Sequence, residues 1–102
     1  MLASLNTTSR MAAELAAAHG GGFGAAPSLL LHNGDISYAR GYGPSWDNFM
    51  HQIAPLAARL PVMVAPGNHE RDWADSGDLF GVDDSGGECG VPYEHRFAMP
   101  HP

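Results

Sequence analysis

The sequence predicts an α/β fold built on one strand–helix–strand unit, and three observations lead there. Two short apolar runs, Leu29–His32 and Pro61–Ala65, each break into a turn that delivers polar residues. Between them, Trp46, Phe49, Met50, Ile53, Leu56, Ala57 and Leu60 recur at the spacing of one helix face. Two strands joined through a helix lie parallel, with a right-handed crossover. Their carboxyl ends then share one edge of the sheet, where open α/β folds place their sites.

Each element has its own signal. Thr8 or Ser9 is suited to cap a first helix running to about His19, with Met11 and Leu15 four apart on one face. "GGGFGAAP" ends it, because neither helix nor strand tolerates that glycine density. Leu29–His32 reads as a short buried strand. In "SWDNFMHQIAPLAARL", Ser45 or Asp47 is placed to start the second helix, and Pro55 predicts a kink or break. Pro61–Ala65 reads as the second buried strand. Beyond Asp72 the periodicity gives way to a long Gly-, Asp- and Ser-rich loop, with one helical turn expected near Leu79. Trp46, Trp73 and Phe97 are expected in packing contacts.

Composition narrows the function. The 102 residues form at most one small domain, with five arginines, no lysine and a net charge of −6. No cationic footprint for nucleic acid is present. Seven acids lie between Glu70 and Glu88, read as a solvated loop in preference to a cation site. Cys89 is the single cysteine, an inert loop or buried thiol, so no internal disulfide forms. No apolar run approaches the ~20 residues that span a membrane. The acid-poor N-terminus has a slight transit-peptide character, but a plain helix is the better reading, no signal peptide is visible, and the compartment stays unassigned. Asn6-Thr7-Thr8 is a glycosylation sequon, meaningful only in a secreted chain.

The chemistry gathers at the two strand ends. "GDISY" delivers Asp35 and Tyr38; "GNHE" delivers Asn68, His69 and Glu70. Carboxylate, phenol and amide oxygens suit hard cations, and added imidazole nitrogen suits iron, manganese or zinc. A carboxylate can bridge two ions about 3.5–4 Å apart. Gly34 and Gly67 are expected to allow tight turns with positive φ. His32 and His51 are read as packing or surface residues and His19 as a helix-terminal one; Arg40 and Arg71 read first as surface groups.

Gly34-Asp35-Ile36-Ser37-Tyr38 followed by Gly67-Asn68-His69-Glu70 resembles the second and third motifs of the purple acid phosphatases, a branch of the calcineurin-like metallophosphoesterases. The flanks "ARGYGPSWDNFMHQI" and "GGECGVPYEHRFAMP" are similar to plant and algal members, so the likeness runs from about Thr8 to Pro100. The resemblance implies a two-sheet α/β sandwich and hydrolysis of small phosphate monoesters at a dinuclear centre of Fe(III) with Zn, Mn or Fe(II). It implies that Asp35 bridges the metals, Tyr38 binds the ferric ion and Asn68 the divalent ion. His69 would meet the phosphate or protonate the leaving group, and Glu70 would close the turn by hydrogen bonds.

The family's DxG motif and its later VxxH and GHxH motifs are not found in residues 1–102, and His95 and His101 stand in other contexts. Three of seven expected ligands are therefore present. The chain reads as a central, partial metallophosphoesterase domain, inactive alone. The alternatives are a nucleotide or phosphodiester hydrolase of the same superfamily, or a truncated, non-catalytic product.

Overall fold

In the computed structural model, described for residues 2–19, 27, 29–71 and 84–100, the strand–helix–strand unit forms as expected. Strand β1 (Leu30–His32) pairs parallel to β2 (Val62–Val64), with Leu30 opposite Val62 and His32 opposite Val64. Helix α2 (Gly43–Ala57) connects them. Helix α1 (Leu2–His19) precedes the unit, and two short helices, α3 (Asn68–Arg71) and α4 (Val91–Arg96), follow.

Helix starts differ from the sequence reading for identifiable reasons. No breaker separates Leu2 from Thr8, so α1 begins about two turns early. Thr8 is not its cap: its hydroxyl donates to the Ser4 carbonyl (2.9 Å) and accepts from Gln52 Nε2 (2.8 Å), which ties α1 to α2. Helix α2 begins at Gly43 because Pro44 fixes the first-turn φ and extended Tyr42 precedes it. The Ser45 N–H already donates to the Tyr42 carbonyl, so neither Ser45 nor Asp47 caps the helix. Pro55 breaks nothing; it sits in the last turn, and the helix closes two residues later.

Two apolar clusters hold these pieces. Leu15 of α1 packs with Ile53 and Leu56 of α2, with Met11 and Leu30 against them. Trp46, Val64, Ile36, Ala39 and Tyr93 form the second, flanked by Phe49 and Phe97. Trp46 and Phe97 are thus packing residues as expected, whereas Trp73 and the turn near Leu79 lie outside the described residues. Helix α4 was not foreseen: Pro92 starts it, and Tyr93 anchors it by donating its hydroxyl to the Val64 carbonyl (3.2 Å).

The strands are only half buried. Leu31 and Met63, paired in register, are 67% and 42% exposed, so one sheet face lacks a covering layer among the described residues. His32 points to the covered face, edge-on to Phe49 at 5.8 Å, while His51 is exposed with its ring nitrogen 2.8 Å from the Asp47 carbonyl.

Candidate metal centre

The ends of β1 and β2 are forced together by backbone. A Cβ on Gly34 would stand 2.8 Å from the Gly67 Cα, and one on Gly67 would land on Asp35 Oδ1 and N. Gly34 has φ +106°, as expected, but Gly67 is not in the left-handed region. At Gly67 the requirement is space alone, a correction to the sequence reading. Asp35 and Tyr38 both adopt positive φ (54° and 51°), a rare conformation for residues with side chains, and one associated with functional turns.

Glu70 locks the arrangement. Its side chain is fully buried, and it accepts from the N–H groups of Asp35 (2.8 Å) and Gly67 (2.8 Å) through Oε2 and of Ile36 (2.6 Å) through Oε1. One carboxylate thereby satisfies donors on both strand tips. This is the turn-closing role expected of it, extended to the opposite loop. Its main-chain carbonyl also accepts from the Gly90 N–H at 2.7 Å, drawing in the segment before α4.

On that platform the polar side chains assemble. Tyr38 donates its hydroxyl to Asp35 Oδ2 (3.1 Å), and the His69 N–H makes a long bond to Asp35 Oδ1 (3.4 Å). The Tyr38 and His69 rings lie 4.2 Å apart between centroids. Partial burial raises the Tyr38 pKa above the ordinary tyrosine value, and the hydrogen bond and negative charge of Asp35 push it the same way. Without a cation the phenol therefore keeps its proton and shares it with Asp35. Asn68 lies exposed on the same turn, but its Nδ2 is taken by Asp84 Oδ2 (2.8 Å) rather than by Asp35. His69 Nδ1 lies 3.1 Å from the Asp84 carbonyl oxygen.

The acids beyond Glu70 overturn the solvated-loop reading wherever they are described. Asp84 and Glu88 are buried, like Glu70. Glu88 accepts from the Trp46 indole N–H (3.1 Å) and the Gly41 N–H (3.0 Å), pinning the loop after Tyr38. Burial of an acid leaves no mark in composition; the one indirect signal is Trp46, 42 residues from Glu88, whose indole N–H needs a partner when buried. Cys89 is an exposed loop thiol, and Arg40 and Arg71 are exposed, Arg71 pairing with Glu94 at 2.8 Å. Asn6 is exposed on α1. No helix of the described residues is long and apolar enough to cross a membrane.

The donor set fits part of a shell for a hard cation. Carboxylate and phenol oxygens stand within hydrogen-bond distance of one another, and Asn68 leaves its amide oxygen clear of the Asp84 bond. Among the described residues no group of three or more His, Cys, Asp or Glu is arranged to hold a metal. Two ions would need further ligands.

Comparison with known proteins agrees in both fold and sequence. The calcineurin-like phosphoesterase family model matches residues 5–101. The chain is 48% identical over 97 residues to probable inactive purple acid phosphatase 27 of Arabidopsis thaliana, covering 95% of this chain and 14% of that protein. It is 47% identical to a nucleotide pyrophosphatase/phosphodiesterase of Hordeum vulgare, covering 95% of this chain and 24% of the other. A solved structure, purple acid phosphatase PPD1 from yellow lupin (Lupinus luteus) seeds, superposes with TM-score 0.78 at 43% identity, over 95% of this chain and 15% of that one. The chain thus spans a seventh to a quarter of the curated relatives described here.

Proposed function

The chain belongs to the calcineurin-like phosphoesterase family, and from that premise we propose that it forms the middle of a metal-dependent phosphate-monoester hydrolase site. The observation that carries this reading is the joining of two strand tips by Glu70, which sets Asp35, Tyr38, Asn68 and His69 on one edge. Residues 1–102 act here as a partial domain. The DxG-, VxxH- and GHxH-type ligands would have to be supplied from outside residues 1–102.

In that protein Asp35 would hold both ions, Tyr38 the ferric ion and Asn68 the divalent one. Bound metal supplies Lewis acidity toward the phosphoryl oxygens and lowers the pKa of water. The chain's own residues do the rest. Asp35 is fixed by bonds to its N–H and carboxylate, so its oxygens are aimed before any ion arrives. To hold a cation Tyr38 would have to release to solvent the proton it shares with Asp35, and the positive charge would oppose the burial and the Asp35 charge that raise its pKa. His69, held through Nδ1, keeps Nε2 on the side of the ring away from Asp84, where the doubly protonated imidazolium can hold a phosphate oxygen or give a proton to the departing alcohol.

Two tests follow. In the intact domain, Tyr38→Phe abolishes the visible absorption of a tyrosinate–iron pair; persistence of the colour refutes the tyrosine assignment. For this chain alone, with three ligands, a chromogenic phosphate monoester in the presence of iron and zinc gives no turnover; turnover that disappears in Asp35→Ala overturns that expectation. The barley relative favours a second reading, hydrolysis of nucleotide diesters or pyrophosphates at the same residues. Comparing monoester and diester substrates on the intact domain separates the two.

A further inference from the structure

We propose that Asp84 is a positioning residue that orients both Asn68 and His69, using a different atom for each. The inference rests on the metal-site reading above. Asp84 is buried, 8% exposed, and no family motif recognised in the sequence contains it.

Its carboxylate decides which way the Asn68 amide faces. With Nδ2 donating to Oδ2 at 2.8 Å, the amide oxygen occupies the other branch of the side chain. The flipped amide would set its oxygen against a carboxylate oxygen, two acceptors with no proton between them. A charged acceptor therefore selects the orientation in which the amide oxygen is left for a cation.

Its main-chain carbonyl decides where the His69 proton sits. A carbonyl oxygen only accepts, so the ring nitrogen 3.1 Å away, Nδ1, carries hydrogen. Neutral His69 is then the Nδ1–H tautomer, with an unprotonated Nε2 facing away from Asp84. A single buried residue thus sets an oxygen ligand and a proton position on adjacent side chains.

The residue after Asp84 is itself tied into the following turn. The Cys89 N–H reaches Ser85 Oγ (3.4 Å), and the Glu88 N–H reaches the Ser85 carbonyl (3.4 Å). Glu88 then grips Gly41 and Trp46, just after the Asp35–Tyr38 turn. The segment 84–90 consequently links the GNHE turn to the loop after the GDISY turn by a route separate from the Glu70 side chain.

The experiment uses the ¹⁵N-labelled full chain without metal, and Mn²⁺ titrations in parallel. Two-bond ¹H–¹⁵N correlations read the His69 tautomer, and the Asn68 side-chain amide signals read its hydrogen bond. The wild type shows the Nδ1–H tautomer and dispersed Asn68 amide protons. Asp84→Ala keeps the tautomer, because the main-chain carbonyl remains, but moves the Asn68 signals to solvent-exposed positions. Mn²⁺ affinity falls by roughly 10–100-fold, the usual effect of losing a partner that orients a metal ligand. Asp84→Asn retains an acceptor and recovers most of both properties. An Nε2–H tautomer in the wild type, or Asn68 signals indifferent to Asp84→Ala, overturns the proposal. If Asp84→Ala fails to fold, the wild-type tautomer and the Asn68 signals of Asp84→Asn still decide. If neither wild type nor Asn68→Ala binds Mn²⁺, the metal reading falls while the imidazole and amide signals continue to test the positioning role.

Discussion

Replacing Glu70 should cost more than replacing any exposed residue of the site, and by an amount that distinguishes two variants. The carboxylate accepts three N–H groups: Asp35 and Gly67 through one oxygen, Ile36 through the other. In Glu70→Gln the amide oxygen can keep the first two, but its NH₂ group then faces the Ile36 N–H. One donor is orphaned, which costs about 1–3 kcal/mol when buried. Glu70→Ala orphans all three, an upper bound of about 9 kcal/mol on the same figures. Water entering the vacated space relieves part of this, leaving a loss of roughly 3–5 kcal/mol. A domain of this length has about 5–15 kcal/mol in total, so the alanine variant loses a large share. Urea unfolding followed by circular dichroism measures the loss, and amide exchange at Asp35, Ile36 and Gly67 locates it. A Glu70→Gln variant within about 0.5 kcal/mol of wild type would refute the reasoning, because that is the range of ordinary surface substitutions.

Gly67→Ala drives a methyl group into Asp35 and should destabilise by about 1–3 kcal/mol, lowering the melting temperature, with an unchanged melt as the contrary result. Tyr93 has a raised pKa, chiefly from burial, with Glu70 and Glu94 adding to the rise and Arg71 opposing it. Its stabilisation is therefore complete below the unfolded value of about 10 and is lost as pH rises through the higher folded value. Tyr93→Phe should cost about 0.5–1.5 kcal/mol at neutral pH and remove that alkaline loss, which stability measured from pH 8 to 12 will show. Glu88→Ala orphans the buried Trp46 indole N–H and should shift tryptophan emission to longer wavelength in a Trp73→Phe background; an unmoved spectrum would contradict the contact.

The strand–helix–strand unit was legible because its signals are local: apolar runs of strand length, helical periodicity and glycine breaks. Asp35, Tyr38 and His69 were legible as a group for the same reason, since parallel strands leave little choice about where their ends go. The helix starts were not, because Thr8 and Ser45 have the chemistry of caps but find other bonds, which depend on what stands four residues earlier or on the facing helix. Helix α4 escaped notice because six residues are too few to show a period. The buried acids escaped for a different reason. Asp84 and Glu88 lie among glycines and other acids, and only their partners, Asn68 and Trp46, remote in sequence, distinguish them from solvated neighbours.

The bonds that Glu70 makes to the first tip have a consequence for the order of folding. They join residues 34 and 35 positions apart, and the Trp46–Glu88 contact spans 42. Closure over such distances follows, rather than precedes, the formation of the intervening helix, because the entropy of a long open chain must first be reduced. The tip that carries Asp35 and the tip that carries Asn68 consequently mature together, late in the reaction. A cleavage between Tyr42 and Leu60 leaves two peptides, each holding half of a cradle whose remaining donors or acceptors are on the other.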